Sequence, residues 1–171
     1  EKEIPYFGIC LGMQIAVIEY ARNVLLLSDA NSGEFDEQCK HKVIDFMPGQ
    51  SDDIDKGGTL RLGAYPCVIK EGTTMARCYQ SAAISERHRH RYEFNNKYMD
   101  EYRAAGMKPV GINPETGLVE VLEVKNHPWF VAVLFNPEYK STVSTPAPLF
   151  VSFVAAALEY QKQNSAEKAD K

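Results

Sequence analysis

Gly8-Ile9-Cys10-Leu11-Gly12 places a cysteine between two glycines, at the end of an apolar run and ahead of a helically spaced stretch. This is the G-x-nucleophile-x-G pattern of a strand-to-helix elbow, in which a sharp turn projects the reactive side chain into a cleft. Glycines two residues to either side keep Cβ atoms out of the tight turn. A helix N-terminus beneath Cys10 would favour its thiolate, and the backbone N–H of Leu11 would point to where an oxyanion forms. The competing reading is a buried cysteine in a glycine-containing turn.

A second cluster of chemistry-bearing residues is Glu86-Arg87-His88-Arg89-His90-Arg91. In a strand the three arginines share one face and the two histidines the other. Metal binding lacks an evident third ligand, and nucleic-acid binding sits poorly with a short segment in an acidic chain. A solvated or ion-paired strand, with Glu86 and Glu93 nearby, is the plain alternative. The four cysteines, Cys10, Cys39, Cys67 and Cys78, form no C-x-x-C pair and read as reduced thiols.

Strand, turn and helix must position the elbow: a strand over residues 4–9, then a helix over 13–27 with Ile15, Ile18, Ala21, Val24 and Leu25 on its apolar face. Residues 28–36 read as a loop, 43–47 as a brief strand closed by Pro48-Gly49, and 50–58 as an exposed turn. Residues 59–69 and 87–94 read as strands. Asn95 and Asn96 cap a helix over 97–105 that Gly106 ends. Strands at 110–113 and 118–124 flank a Pro114-Glu115-Thr116-Gly117 hairpin turn, and 129–135 is a further apolar strand. The last helix carries a core stripe of Phe150, Phe153, Val154, Ala157 and Leu158, and residues 162–171 read as a frayed tail. With 171 residues and 44% apolar content the chain fits one α/β domain. Its formal charge of −4 gives nucleic acid no support as a partner. No apolar run is long enough for a membrane span, and charged Glu1-Lys2-Glu3 with no apolar stretch behind it reads as no signal peptide, so a cytoplasmic setting is expected.

The segment Pro5-Tyr6-Phe7-Gly8-Ile9-Cys10-Leu11-Gly12-Met13-Gln14 resembles the nucleophile segment of class I glutamine amidotransferases. Arg22-Asn23-Val24, Ala30-Asn31-Ser32-x-Glu34-Phe35, Gly57-Gly58-Thr59-Leu60-Arg61-Leu62-Gly63, Glu86 to Asn95 and His127-Pro128-Trp129-Phe130-Val131 are similar to the CTP synthase family in particular. The resemblance implies a flavodoxin-like α/β fold with a mixed, largely parallel sheet, flanking helices and a strand–elbow–helix. It implies a glutaminase that attacks the glutamine amide through Cys10, forms a thioester and releases ammonia for ATP-dependent amination of UTP. Arg91 matches the arginine that holds the glutamine α-carboxylate, Glu34 the residue at its α-amino group, and Leu11, Gly12, Met13 and Gln14 the rest of that pocket. Arg87 and Arg89 fit either general electrostatics or an interface with a synthetase domain.

The pattern breaks at Phe135-Asn136-Pro137-Glu138, which aligns with the family's Phe-His-Pro-Glu. Glu138 matches the carboxylate of a Cys-His-Glu triad, but Asn136 stands where the histidine would be. An asparagine amide can orient a partner yet cannot carry a proton near neutral pH, so impaired catalysis or a pseudo-glutaminase with a binding or regulatory role is expected. Neither His41, His88, His90 nor His127 is placed by the sequence to substitute. The family's oxyanion loop and the synthetase domain lie outside these residues, so the resemblance implies a domain lacking its first βα units. No P-loop is present. ATP and Mg²⁺ are expected only on the synthetase domain, with no cofactor in this chain and a homo-oligomeric parent enzyme.

Overall fold

The first apolar run forms β1 (Tyr6–Ile9), and Cys10 turns it directly into α1 (Leu11–Asn23). The structure is a computed structural model that describes residues 3–46 and 61–169. Two short strands follow, β2 (Asn31–Ser32) and β3 (Lys42–Asp45). Then come β4 (Arg61–Ile69), α2 (Thr74–Tyr79), β5 (Ala83–His90) and β6 (Glu93–Phe94). A 3-10 turn leads into α3 (Met99–Ala105), followed by β7 (Met107–Ile112), β8 (Val119–Val124) and β9 (Phe130–Val133). A second 3-10 turn, Pro137–Lys140, precedes α4 (Pro148–Ala169). The expected closing turn at Pro48-Gly49 and the exposed turn over 50–58 lie outside the described residues.

Six strands pair in the order β1-β9-β8-β7-β4-β5, and β2-β3-β6 form a separate small sheet. The sheet is mixed and flanked by helices, as expected, but not largely parallel. In the large sheet β1 pairs parallel to β9, whereas β9–β8, β8–β7, β7–β4 and β4–β5 are antiparallel. The cause is local: β7, β8 and β9 are joined by short links, which can only make antiparallel neighbours. Asn113 Oδ1 accepts from the N–H groups of Glu115 and Thr116 at 2.9 and 3.1 Å, which closes the β7–β8 turn.

Period-two alternation sends side chains to the two faces of the sheet. Leu122 and Ala132 join Met13, Val17 and Ala21 of α1, with Ile44, Phe94 and Tyr102, in one core. Val121, Val131, Val133 and Phe135 join Cys67, Met75 and Leu149 in the other, towards α2 and α4. The buried face of α1 is Met13, Gln14, Ala16, Val17, Ile18 and Ala21. Ile15 and Val24, expected on that face, are instead about half exposed. The helix starts two residues before the apolar periodicity does and ends before Val24, which shifts the stripe. Likewise α4 buries Leu149 and packs Phe150 and Phe153 on Phe7, while Val154 and Leu158 face outward. Residues 162–169, read as a frayed tail, continue α4 as helix. Among the described residues no helix is long and apolar enough to cross a membrane.

The helix at 97–105 resolves as a 3-10 turn followed by α3. Asn95 Oδ1 accepts from Lys97 N at 3.2 Å at the start, and Gly106 ends the helix at φ 111°. The sequence reading missed α2, although its signal is present: Thr73 Oγ1 accepts from Ala76 N at 3.1 Å, an N-cap for one and a half turns.

Candidate active site

Cys10 sits at φ 50°, ψ −106°, a conformation that costs a non-glycine residue energy and persists only where its surroundings impose it. Its N–H donates to Val133 O at 2.8 Å, tying the elbow to β9, and its carbonyl accepts from Met13 and Gln14 at 3.0 and 3.2 Å to start α1. Gly8 is required by packing: a Cβ there would lie 2.9 Å from both the carbonyl of Gly12 and the Tyr6 ring. Gly12 is not. A Cβ on it would meet nothing within 4 Å, so the sequence argument of two clash-avoiding glycines holds for one of them.

The helix terminus does not make Cys10 a ready thiolate. Burial, the largest influence, pushes the thiol up from its ordinary value, against the Leu11 N–H that favours the anion. The carboxylates of Glu138, Glu93 and Glu34 push it further in the same direction. Leu11, Met13 and Gln14 occupy the first turn as expected, with Leu11 half exposed and Gln14 buried.

Strand β9 runs into the second part of the site. Asn136 N donates to Arg87 O at 2.8 Å, so β5 flanks this segment. Asn136 Nδ2 donates to Glu138 Oε1 at 2.8 Å, while its Oδ1 is buried without a hydrogen-bond partner. The amide thereby keeps the orienting contact of a base–carboxylate pair and lacks the titratable nitrogen. No histidine replaces it: His127 packs on Phe130 at the opposite end of β9, His41 pairs with Asp29 at 2.6 Å, and His88 and His90 are consumed in a buried cluster.

The third part comes from the small sheet. Ser32 Oγ accepts from Glu34 N at 3.1 Å, fixing the turn that presents Glu34. Arg91 follows the end of β5, and its Nη2 lies 3.5 Å from Glu34 Oε1, with both side chains partly exposed. Gln14 Nε2 donates to Tyr92 O at 3.2 Å, which fastens the Arg91–Tyr92 segment to the first turns of α1. Gln14 Oε1 is buried and without a partner, an acceptor with capacity to spare.

The alternation in β5 is as expected: Arg87 and Arg89 are exposed, His88 and His90 buried. Behind them lies a cluster that the sequence reading did not assemble. Arg61 Nη2 meets Glu120 Oε1 at 2.6 Å and Nη1 meets Glu93 Oε2 at 3.4 Å. Its guanidinium stacks 4.5 Å above the Tyr65 ring. Burial holds His88 and His90 down, to about 2 and about 3, and holds Glu93 up, to about 8. The signal for this cluster was a lone Glu120 inside the apolar Val119-Glu120-Val121-Leu122 run and an arginine at the start of an apolar strand.

The family model for class-I glutamine amidotransferases matches residues 1–156. The chain belongs to the class-I glutamine amidotransferase family. It is 57% identical over 95% of its length to a CTP synthase of Flavobacterium johnsoniae, and 55% identical over 93% to one of Treponema denticola. The chain spans about 30% of the length of these relatives. It is also similar to the glutaminase domain of Trypanosoma brucei CTP synthase, solved with bound acivicin. That match has 42% identity and a TM-score of 0.86, covering 92% of this chain and 61% of that one. An amidotransferase-like GMP synthase subunit of Thermoplasma acidophilum shares the fold alone, at 15% identity and a TM-score of 0.58, covering 94% of this chain and 61% of that one.

Proposed function

We propose that the chain is the glutaminase part of a CTP synthase, binding L-glutamine between Arg91, Glu34 and the elbow and attacking its side-chain amide with Cys10. The observation that carries this is the strained elbow: Cys10 at φ 50° heads α1 beside the Asn136–Glu138 pair. A guanidinium grips a carboxylate with two parallel hydrogen bonds, and a carboxylate suits an ammonium group. Arg91 and Glu34 thus complement the two charged ends of a free amino acid, which a glutamine inside a peptide lacks. Leu11, Gly12, Met13 and Gln14 line the remaining pocket, with the open space above Gly12 available to the substrate.

In the reaction, Sγ attacks the amide carbon, the C–N bond breaks, ammonia leaves with the thiol proton, and water then hydrolyses the thioester. Leu11 N–H supports the oxyanion at each addition. The proton transfers are the weak point, because Asn136 cannot accept or return a proton. The raised thiol and the Asn136–Glu138 hydrogen bond therefore favour a domain that binds glutamine and turns it over slowly, and they keep a pseudo-glutaminase role in play. Ammonia would pass to an amidoligase domain of the whole protein, a cytoplasmic and homo-oligomeric enzyme in which ATP and Mg²⁺ serve UTP amination. No cofactor is assigned to the residues of this chain.

The test uses acivicin, the compound bound by the trypanosome domain, as an amino-acid electrophile. Peptide mass spectrometry should find it on Cys10 ahead of Cys39, Cys67 and Cys78. Arg91→Lys should slow labelling roughly tenfold or more, since hydrogen bonds to charged groups contribute about 1.5–3 kcal/mol. Preferential labelling elsewhere, or equal losses for Arg87→Lys and Arg89→Lys, would overturn the assignment.

A further inference from the structure

Glutamine chemistry uses the exposed face of the Arg-His repeat at Arg91 and leaves its buried face without a role. On that face four titratable side chains make a chain of contacts. His88 Nε2 lies 3.2 Å from Glu120 Oε2, His88 Nδ1 lies 2.8 Å from His90 Nε2, and His90 Nδ1 lies 3.4 Å from Glu93 Oε1. Arg61 closes the ring through both carboxylates. His88, Glu93 and Glu120 are at most 1% exposed, Arg61 2% and His90 6%. The two end contacts are close but out of hydrogen-bond alignment, which leaves four buried polar atoms short of partners.

Charge and proton counting restrict what such a ring can hold. Arg61 is always cationic and can compensate one buried carboxylate. The second carboxyl must then be neutral, or an imidazole must carry the balancing proton. Burial acts against the imidazolium at both rings and favours the neutral acid at Glu93. The consistent arrangement has Glu93 O–H donating to His90 Nδ1, His90 Nε2–H to His88 Nδ1, and His88 Nε2–H to ionised Glu120. Reversing all three donors moves the acid from Glu93 to Glu120 with the same number of protons.

The ring also touches the catalytic neighbourhood on several sides. Glu93 follows the Arg91–Tyr92 segment, whose Tyr92 carbonyl is held by Gln14, and Gln14 N is bonded to Cys10 O. His88 packs edge-on against Phe135, the residue before Asn136, with ring centroids 6.0 Å apart. We propose that Glu93, His90, His88 and Glu120, closed by Arg61, share one proton, and that this ring positions the Arg91–Tyr92 segment against the elbow and tunes the reactivity of Cys10. Glu93 is thus a positioning residue that acts on Cys10 through its charge and through the Tyr92–Gln14 contact.

The charged and titratable groups facing the two ends are these. Cys10 is faced by Glu138, Glu93 and Glu34. The ring is faced by Tyr65 and Cys67 from β4, and by Asn113 beside Glu120. While Glu93 holds the proton, one of the three carboxylates that oppose thiolate formation is silent. Ionisation of Glu93 would oppose it further, so the Cys10 titration is spread over a wider range than that of an isolated thiol.

The experiment follows Cys10 alkylation by iodoacetamide from pH 6 to 10.5 on the full chain, resolved by peptide mass spectrometry. Glu93→Gln keeps a donor for His90 and removes the ionisable carboxyl. Its alkylation midpoint should fall by about half a unit, roughly threefold faster labelling at pH 9. Glu123→Gln, a change at a carboxylate that caps α2 away from the site, should leave the midpoint in place. Imidazole ¹⁵N spectra of the unsubstituted chain should show both buried rings neutral down to pH 5.5. An unmoved midpoint in folded Glu93→Gln, or either ring titrating between pH 5.5 and 7.5, would overturn the proposal. If Glu93→Gln gives no cooperative melt, the ¹⁵N spectra decide alone. The inference takes Cys10 from the proposed glutaminase site, but iodoacetamide carries no amino-acid recognition. Failure of acivicin labelling with a shifted iodoacetamide profile would therefore sink the glutaminase proposal and leave the ring standing.

Discussion

At position 136 a single atom type separates orientation from catalysis. Asn136 reaches Glu138 at 2.8 Å as an oriented imidazole would, yet its other end presents a carbonyl oxygen that neither accepts nor releases a proton near pH 7. Cys10 meanwhile faces three carboxylates with no cation among the influences on its thiol. An imidazolium at 136 would oppose those carboxylates, and an opposite charge nearby favours the charged form of a thiol. Asn136→His should therefore shift the Cys10 alkylation midpoint downward, towards neutral pH. In a complete synthase carrying this domain it should also raise ammonia release by about 10²–10⁴, the usual contribution of general acid–base catalysis. An unchanged alkylation profile would mean that another group already carries the proton. Residue types and spacing made Cys10, Asn136, Glu138, Glu34 and Arg91 legible in the sequence. The direction of the Cys10 shift was not legible, because burial and Glu93 reach the elbow from elements distant in the chain.

At the scale of elements, the two glycines of the elbow separate folding from access. Gly8→Ala forces a Cβ to within 2.9 Å of the Gly12 backbone, which cannot yield without opening the turn. Overpacking of that kind costs about 1–3 kcal/mol, so the denaturation midpoint should drop clearly. Gly12→Ala places its Cβ in open space on the first turn of α1, where alanine is the better helix former by roughly 1 kcal/mol. It should leave stability level or improved and yet slow acivicin labelling of Cys10, since the methyl occupies the pocket. A stability loss at Gly12 equal to that at Gly8 would show that both glycines serve the turn alone. Strands were the readable elements, because alternation and the Asn113-to-Gly117 turn are local signals. The phases of α1 and α4 were not readable. In α1 a buried Gln14 replaces an apolar residue on the packed face, and in α4 the exposed Val151, Val154 and Leu158 mimic a core stripe. The antiparallel character of the large sheet depended on which strands became neighbours, which no single segment encodes.

For the whole molecule, the buried ring ties stability to pH from both sides. His88 and His90 are held far below the ordinary histidine range of about 6.5, so below that value the unfolded chain binds protons that the folded chain refuses. Their contribution is present above pH 6.5 and is lost as the pH falls towards about 3. Glu93 behaves oppositely. Held up to about 8 when folded, it keeps a proton that the unfolded chain releases above about 4.3, and its contribution is lost as the pH rises through 8. Between pH 5 and 6 two histidines outweigh one glutamate, so stability should rise with pH there and peak near pH 6.5. From 6.5 to 8 only Glu93 acts, and stability should fall by at most about 1.4 kcal/mol per pH unit before levelling. Glu93→Gln should abolish this alkaline decline and leave the acid limb in place. Urea midpoints at half-unit steps from pH 5 to 9 measure both limbs. A flat profile between 6.5 and 8 would place the shared proton elsewhere than on Glu93, since a carboxyl ionised in both states contributes no slope.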